Sequence, residues 1–315
     1  MSSESDMKSR GWFSRRRNQA LVFIVVFFLV LVIFSNMPQP PRTKYQVALD
    51  RAVSYFGANY NTTVGLIPEE PGGKTFWLYS DNYLVSLAVS RYPDQNQSVV
   101  DLWGAVRYVV GAFGATIPGG IPGNQYSALN STVAPFGCPE PVSIGWTPQT
   151  GVSSSGTAAI RTTANAGGPA CAGLAANYAD LLFLQAVRFH RLGNSSAALT
   201  YFHAAASDFN GQGVADRAYT DNTSSTRGQY QTFKVALLVY STYCLGQQAA
   251  ANSTLTSALG ILMQAQDPAS GGFETGYVPI HAGNRTITPL GSVNTETTAL
   301  AALALELAIT PTSAC

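Results

Sequence analysis

Apolar side chains recur at helical spacing along most of the chain, in two alternating styles. Tyr45, Ala48, Leu49, Ala52, Val53 and Phe56 fall at i, i+3, i+4, i+7, i+8 and i+11, the stripe of an amphipathic helix. Val99, Leu102, Trp103, Val106, Val110 and Phe113 do much the same, as do Leu199, Phe202, Ala206 and Phe209, and then Leu255, Leu259, Leu262 and Gln266. Between these stripes stand segments apolar nearly all round: NYLVSLAV from Asn82, YADLLFLQAV from Tyr178, FKVALLVY from Phe233 and TALAALALEL from Thr298. A helix with no solvated stripe must be enclosed by neighbours.

The order is amphipathic helix, long loop, enclosed helix, short connection, repeated four times, with helices expected at 44–58/78–91, 97–114/171–191, 195–210/228–246 and 253–266/294–309. Each hairpin turns the chain around, so the long loops, near 59–77, 115–170, 211–227 and 267–293, should emerge at one end of the assembly. Enclosed helices then line the middle and point the partial positive charge of their N-termini at that end, where a pocket should open. The 115–170 stretch, with PGGIPGN and GVSSSGTAA, reads as a Gly/Pro/Ser-rich loop with room for a small β-hairpin around Val142 to Trp146. A connection of this length is either a cover over the pocket or a sign of missed elements.

The N-terminus changes the picture. The run ALVFIVVFFLVLVIF from Ala20 to Phe34 has no polar residue, and with Ser35 to Met37 it approaches the roughly 17–25 residues of a membrane span. Lys8, Arg10, Arg15, Arg16 and Arg17 precede it, which puts residues 1–19 in the cytoplasm as a basic tail, 20–37 in the membrane as a single-pass anchor, and 38–315 outside as one helical domain. The competing reading is a cleaved signal peptide, although SNMPQPP offers no small-x-small cleavage site. Both alternatives leave the main domain extracytoplasmic. Asn-x-Ser/Thr sequons at Asn61, Asn96, Asn130, Asn194, Asn222, Asn252 and Asn284 fit a glycoprotein there.

All four cysteines also lie in the outer domain, where disulfides persist. Parallel enclosed helices bring Cys244 and Cys315 to the short-connection end, while Cys138 and Cys171 bracket much of the longest loop. The expected bonds are Cys138–Cys171 and Cys244–Cys315, among the three pairings that four cysteines allow. No CxxC or Cys/His spacing points to a metal, and no cofactor is expected. Charged residues make up 11% of the chain, under half of the roughly 25% usual for soluble domains. Before residue 20 lie five of the eighteen basic and two of the seventeen acidic residues, leaving thirteen against fifteen, which gives no positive field for nucleic acid.

GGFETGY at 271–277, followed by NTETTALAALALEL from Asn294, resembles a hairpin of the α/α toroids shared by six-hairpin glycosidases, terpenoid cyclases and complement-type thioester domains. The match covers about forty residues, and one fold hosts many activities, so what the resemblance implies is an all-α toroid or partial toroid of about four hairpins, following the transmembrane helix. Complete toroids resemble six hairpins, so four imply an open arc, a reduced toroid or half of a dimer. The Asp-rich motif of terpenoid cyclases, the Asp/Cys/His zinc set of prenyltransferases and the Cys/Gln turn of thioester domains are all missing.

An active site at the long-loop end would draw its acids from Glu69, Glu70 and Asp81, from Asp180, and from Glu274 and Glu296. Glycosidic cleavage needs two carboxyls, one protonated to assist the leaving group and one charged to activate water or attack, and Asp81 with Glu296 is the pair nominated. The bland alternative is that both serve helix starts in SDNYL and NTETT. Asp180 and Lys234 lie in apolar helices and would be costly unpaired, so a mutual structural bond competes with a functional role. Phe76, Trp77, Tyr79, Tyr126, Trp146, Tyr230, Phe273 and Tyr277 crowd the same end. Trp77, Tyr79, Tyr230, Phe273 and Tyr277, with Asp180 and Glu274, are the candidate substrate-binding residues, since sugar C–H faces stack on such rings. Aromatics in long loops also seal the end of a helical core. His190, His203 and His281 are scattered. Two functions stay open: a glycan-interacting, glycoside hydrolase-like domain at the cell surface, or a non-catalytic protein gripping a surface or membrane-complex partner.

Overall fold

The computed structural model describes residues 23–24, 26–28, 41–74, 76–92, 97–116, 125–134, 139–146, 158–165, 175–280, 286–311 and 315. The chain divides into two units, residues 1–42 and 43–315. In the first unit Phe23, Ile24, Val26, Phe27 and Phe28 are helical and exposed. Among the described residues no helix is long and apolar enough to cross a membrane, so the transmembrane helix expected over 20–37 is not supported. Most of that stretch, and the whole basic tail 1–19, lies outside the described residues.

The second unit begins with α1 (Lys44–Asn59), whose start is fixed by a reciprocal cap: Thr43 Oγ1 accepts from Gln46 N at 3.2 Å, and Gln46 Oε1 accepts from Thr43 N at 2.8 Å. There follow β1 (Phe76–Leu78), α2 (Tyr79–Arg91), α3 (Gln97–Thr116), a 3-10 turn (Gln125–Leu129), β2 (Pro139–Trp146) and β3 (Ala158–Asn165). After a second 3-10 turn (Ala175–Asn177) come α4 (Ala179–Arg191), α5 (Ser195–Ala206), the short α6 (Arg217–Thr220), β4 (Tyr230–Gln231) and α7 (Thr232–Cys244). The chain closes with α8 (Asn252–Gln264), β5 (Phe273–Pro279), β6 (Ile287–Asn294) and α9 (Thr295–Ile309).

The long helices fall in the stretches that the periodicity picks out, and their partners follow from their wet and dry faces. Helices α4, α7, α9 and α2 pack side by side in that order, and the 3-10 turn at Gln125–Leu129 lies against both α2 and α4, at the two ends of the row. Each carries on its back an amphipathic helix: α5 on α4, α8 on α7, α1 on α9 and α3 on α2. Helix α9 is buried from Thr295 to Leu307 except at Glu296, because Ala and Leu on every side leave no polar stripe for water.

The chain is not all-α. Two three-stranded sheets occupy the long loops, in the orders β1-β3-β2 and β4-β5-β6. In the first, β1 runs parallel to β3, Phe76 opposite Ala159, while β2 is antiparallel to β3 with Val142 opposite Thr162. In the second, Tyr230 of β4 faces Tyr277 of β5, and β5 pairs with β6 through Val278 and Thr288. The physical reason is that loops passing over a buried helix end must satisfy their own N–H and C=O groups, and pairing into sheets does so. Three of the strands, β1, β4 and β6, run directly into α2, α7 and α9, so the excursions gather at the starts of the central helices.

Other contacts tie the loops to the same end. Asn82, fully buried, takes the N–H of Ile67 and gives its amide to the carbonyls of Ile67 and Leu78, each at 2.9 Å. Thr295 N donates to Glu69 O at 2.8 Å, and Thr295 Oγ1 to Pro68 O at 2.6 Å. The GG of GGFETGY is required by close approach. Gly271 has φ +82°, and a Cβ on Gly272 would lie 2.3 Å from Val293 and 2.8 Å from Tyr55.

At the opposite end a disulfide joins Cys244, the last residue of α7, to Cys315, with Cα atoms 5.5 Å apart. Cys138 and Cys171 lie outside the described residues, as do the sequons at Asn96 and Asn284. Asn130, Asn194, Asn222 and Asn252 are exposed and Asn61 is half-buried.

Candidate functional site

Each of the four central helices opens on an ionisable side chain within its first three residues: Asp81 in α2, Asp180 in α4, Lys234 in α7 and Glu296 in α9. Side-by-side packing of parallel helices puts these groups on one end of the row, and each feels the next. The charges of Glu296 and Glu69 act on Asp81, and those of Asp180 and Glu69 act on Glu296.

Asp81 is wholly buried, and burial, followed by the neighbouring carboxylates of Glu296 and Glu69, pushes its pKa well above the usual carboxyl range. Ser80 Oγ donates to Oδ1 at 3.1 Å; among the described residues, the buried Oδ2 has no partner. Nor does it cap α2, whose N-cap, Leu78, has no side-chain bond. Glu296 is also raised, by burial first and then by Asp180 and Glu69, but it accepts a short hydrogen bond from Tyr126 Oη that works in the other direction. Glu296 leaves the cap of α9 to Asn294, whose Oδ1 accepts from Thr297 N at 2.8 Å. Glu69 is raised by burial and by Glu70, with Arg161 opposing.

Lys234 is a buried cation of this end and is 2% exposed. Its Nζ lies 2.5 Å from Asp216 Oδ2 and 3.7 Å from Asp180 Oδ1. Asp216 is itself tied down, Oδ2 accepting from Ala179 N at 2.9 Å and Oδ1 from Ala218 N at 3.1 Å. The bond expected between Asp180 and Lys234 is therefore the longer arm of a triad whose tighter arm goes to Asp216. Burial raises Asp180, and Lys234 opposes that rise.

The remaining candidates are placed as follows. Trp77 and Tyr79 are buried beside the start of α2, with the Trp77 Nε1 lacking a partner and the Tyr79 hydroxyl pushed up to about 12 by burial. Tyr230 and Tyr277 stack at 5.5 Å, both beside Gly213, and Tyr219 stacks on Tyr230 at 4.5 Å, while Phe273 is fully buried. These rings pack on one another and present no open platform. Glu274, on β5, is raised by burial and then by Asp267, and its Oε2 is buried without a partner. His190 and His203 sit near the ends of α4 and α5, and His281 is outside the described residues.

No family model, curated protein or solved structure matches the chain. The resemblance of 271–277 to α/α toroids thus has no relative behind it, and the site rests on its own geometry. Among the described residues no group of three or more His, Cys, Asp or Glu is arranged to hold a metal ion.

Two residues of the site carry weak sequence signals. Asp216 stands in VADRAYT, where an Asp before a short helix announces a cap, and it is one: the cap of α6. Its bond to a lysine eighteen residues on has no local mark. Tyr126 is one aromatic among many in a Gly-rich stretch, and nothing local marks it as the donor to Glu296.

Proposed function

We propose that the domain is an extracytoplasmic glycan-acting protein of the glycoside hydrolase type, with Asp81 and Glu296 as its carboxyl pair. The observation that carries this reading is the unequal support of two interacting carboxyls at one end of the central helices. Asp81, buried with one oxygen that meets no partner among the described residues, favours its protonated form; Glu296, partly exposed and taking a phenol hydrogen bond that offsets part of its own rise, keeps a charge more readily. In hydrolysis the proton of Asp81 goes to the glycosidic oxygen as the bond to the anomeric carbon breaks. Glu296 takes a proton from the water whose oxygen attacks that carbon, and exchange with solvent restores both groups. Asp81 is closed to solvent here, so turnover requires the loops above it to part. The Cys244–Cys315 bond and the four exposed sequons support the oxidising, extracytoplasmic setting.

A second reading, a non-catalytic surface protein that grips a partner with this end, is favoured by the burial of Asp81 and of the Tyr230, Phe273 and Tyr277 rings. Incubating the protein with a panel of neutral, amino and acidic glycans separates the two. Turnover by wild type, with losses of at least a hundredfold in Asp81→Asn and Glu296→Gln, is the expected result, since one general acid or base contributes roughly 10²–10⁴-fold. Binding without turnover would favour the second reading. The absence of both binding and turnover across the panel would refute a glycan ligand.

A further inference from the structure

The charged groups facing Glu296 are nearly all of its own sign. Asp180 on α4 and Glu69 in the loop after α1 both oppose its ionisation, and its own charge acts on Asp81 of α2. The lysine of α7 is committed to Asp216 and Asp180. A carboxylate in that company needs a donor to stay charged, and the one it has comes from far away in sequence: Tyr126, whose hydroxyl meets Glu296 Oε1.

Tyr126 is 1% exposed and sits on a 3-10 turn in which Ser127, Ala128 and Leu129 are also buried. The turn is pinned from several sides. Leu129 O accepts from Arg191 Nη2 at 2.6 Å, and Thr132 O from Arg188 Nε at 2.7 Å, both arginines being on α4. Within the segment Ser131 Oγ donates to Ser127 O at 2.7 Å. A donor held this firmly loses little on forming its bond. Burial and the charge of Glu296 push the Tyr126 hydroxyl well above its usual range, so it keeps its proton.

We propose that Tyr126 is the positioning residue of the carboxyl pair: its hydroxyl orients Glu296 and holds it as the charged member, leaving the proton with Asp81. The 3-10 turn at Gln125–Leu129 is then a working part of the site. Its catalytic meaning rests on the hydrolase reading above.

The test is the titration of Glu296 in wild type and Tyr126→Phe, followed through the side-chain carboxyl carbon of labelled glutamate and assigned with Glu296→Gln. Loss of the hydroxyl is expected to raise the midpoint by roughly 1–2 pH units, from the usual strength of hydrogen bonds to charged groups. In wild type the Tyr126 hydroxyl proton is expected as a slowly exchanging downfield resonance that moves upfield in Glu296→Gln, whose neutral amide oxygen is a weaker acceptor, which decides the matter even if Tyr126→Phe does not fold. If a glycan is turned over, the acid limb of the pH–rate profile should move upward in Tyr126→Phe by the same amount. An unmoved Glu296 midpoint, or a hydroxyl resonance indifferent to Glu296→Gln, overturns the role of Tyr126 and leaves the hydrolase reading standing. Absence of turnover together with a shifted midpoint refutes the hydrolase reading and keeps the hydrogen-bond assignment.

Discussion

Glu306 offers a direct measure of what burial costs in this fold. It lies in the last turns of α9, at the end opposite Glu296, and is 6% exposed with Oε2 lacking any partner. Burial lifts its pKa from 4.5 to about 7, against the pull of Arg91 on α2, whose Nη1 instead donates to Tyr240 Oη at 3.0 Å. An acid that holds its proton more tightly when folded than when unfolded favours the fold at low pH, and that advantage is lost as pH rises from the unfolded value through the folded one. The window here is pH 4.5 to 7. At about 1.4 kcal/mol per unit, the wild type should lose about 3 kcal/mol across it from this residue. Other buried acids, Asp81, Glu296 and Asp180, push in the same direction, so the comparison must be made between variants. Glu306→Gln and wild type should be equally stable near pH 4.5, and by pH 8 the variant should be the more stable by about 3 kcal/mol, or roughly 6–12 °C in Tm. Thermal and denaturant unfolding at fixed ionic strength from pH 4.5 to 8 reads this out. Parallel stability curves for the two proteins would refute the idea that Glu306 is carried neutral into the core.

Lys234→Met removes the cation 2.5 Å from Asp216 and 3.7 Å from Asp180, and should cost about 3–5 kcal/mol by denaturant unfolding. Part of that loss should return on acidification, as the Asp180 carboxyl, already raised by burial and no longer opposed by Lys234, takes up a proton. Replacing both Cys244 and Cys315 with Ala opens a bond spanning 71 residues, and the chain-entropy relation gives a loss of about 4 kcal/mol. A change under 1 kcal/mol would mean that the bond constrains the unfolded chain little. Gly213→Ala places a Cβ 2.3 Å from the Tyr230 ring and 2.5 Å from Tyr277 Oη, and should destabilise by about 1–3 kcal/mol and disturb the tyrosine near-UV signal. Gly104→Ala, in α3 with nothing within 4 Å of its Cβ, should instead stabilise by up to about 1 kcal/mol.

The helical hairpins were legible in the chain because a helix satisfies its backbone within itself and declares its environment by the width of its apolar stripe. Tyr45 to Phe56 marks one solvated face, and TETTALAALALELAI marks none, so the roles of α1 and α9 can be read residue by residue. The convergence of Asp81, Asp180, Lys234 and Glu296 follows from the same reading, since each begins an enclosed helix. Of the sheets, only the strand at Val142 to Trp146 was legible, and it falls in β2, paired antiparallel with β3. Phe76–Leu78 finds its partner at Ala159–Arg161, more than eighty residues on, and a three-residue strand carries no periodicity long enough to read. Likewise the sequence placed acids at one end without saying which would hold a proton. Their support was decided in space, by a tyrosine brought to Glu296 from 170 positions away, while among the described residues no partner meets Asp81 Oδ2. Local hydrogen bonds and side-chain stripes are properties of neighbouring residues, whereas strand register and the compensation of buried charge depend on groups that only folding brings together.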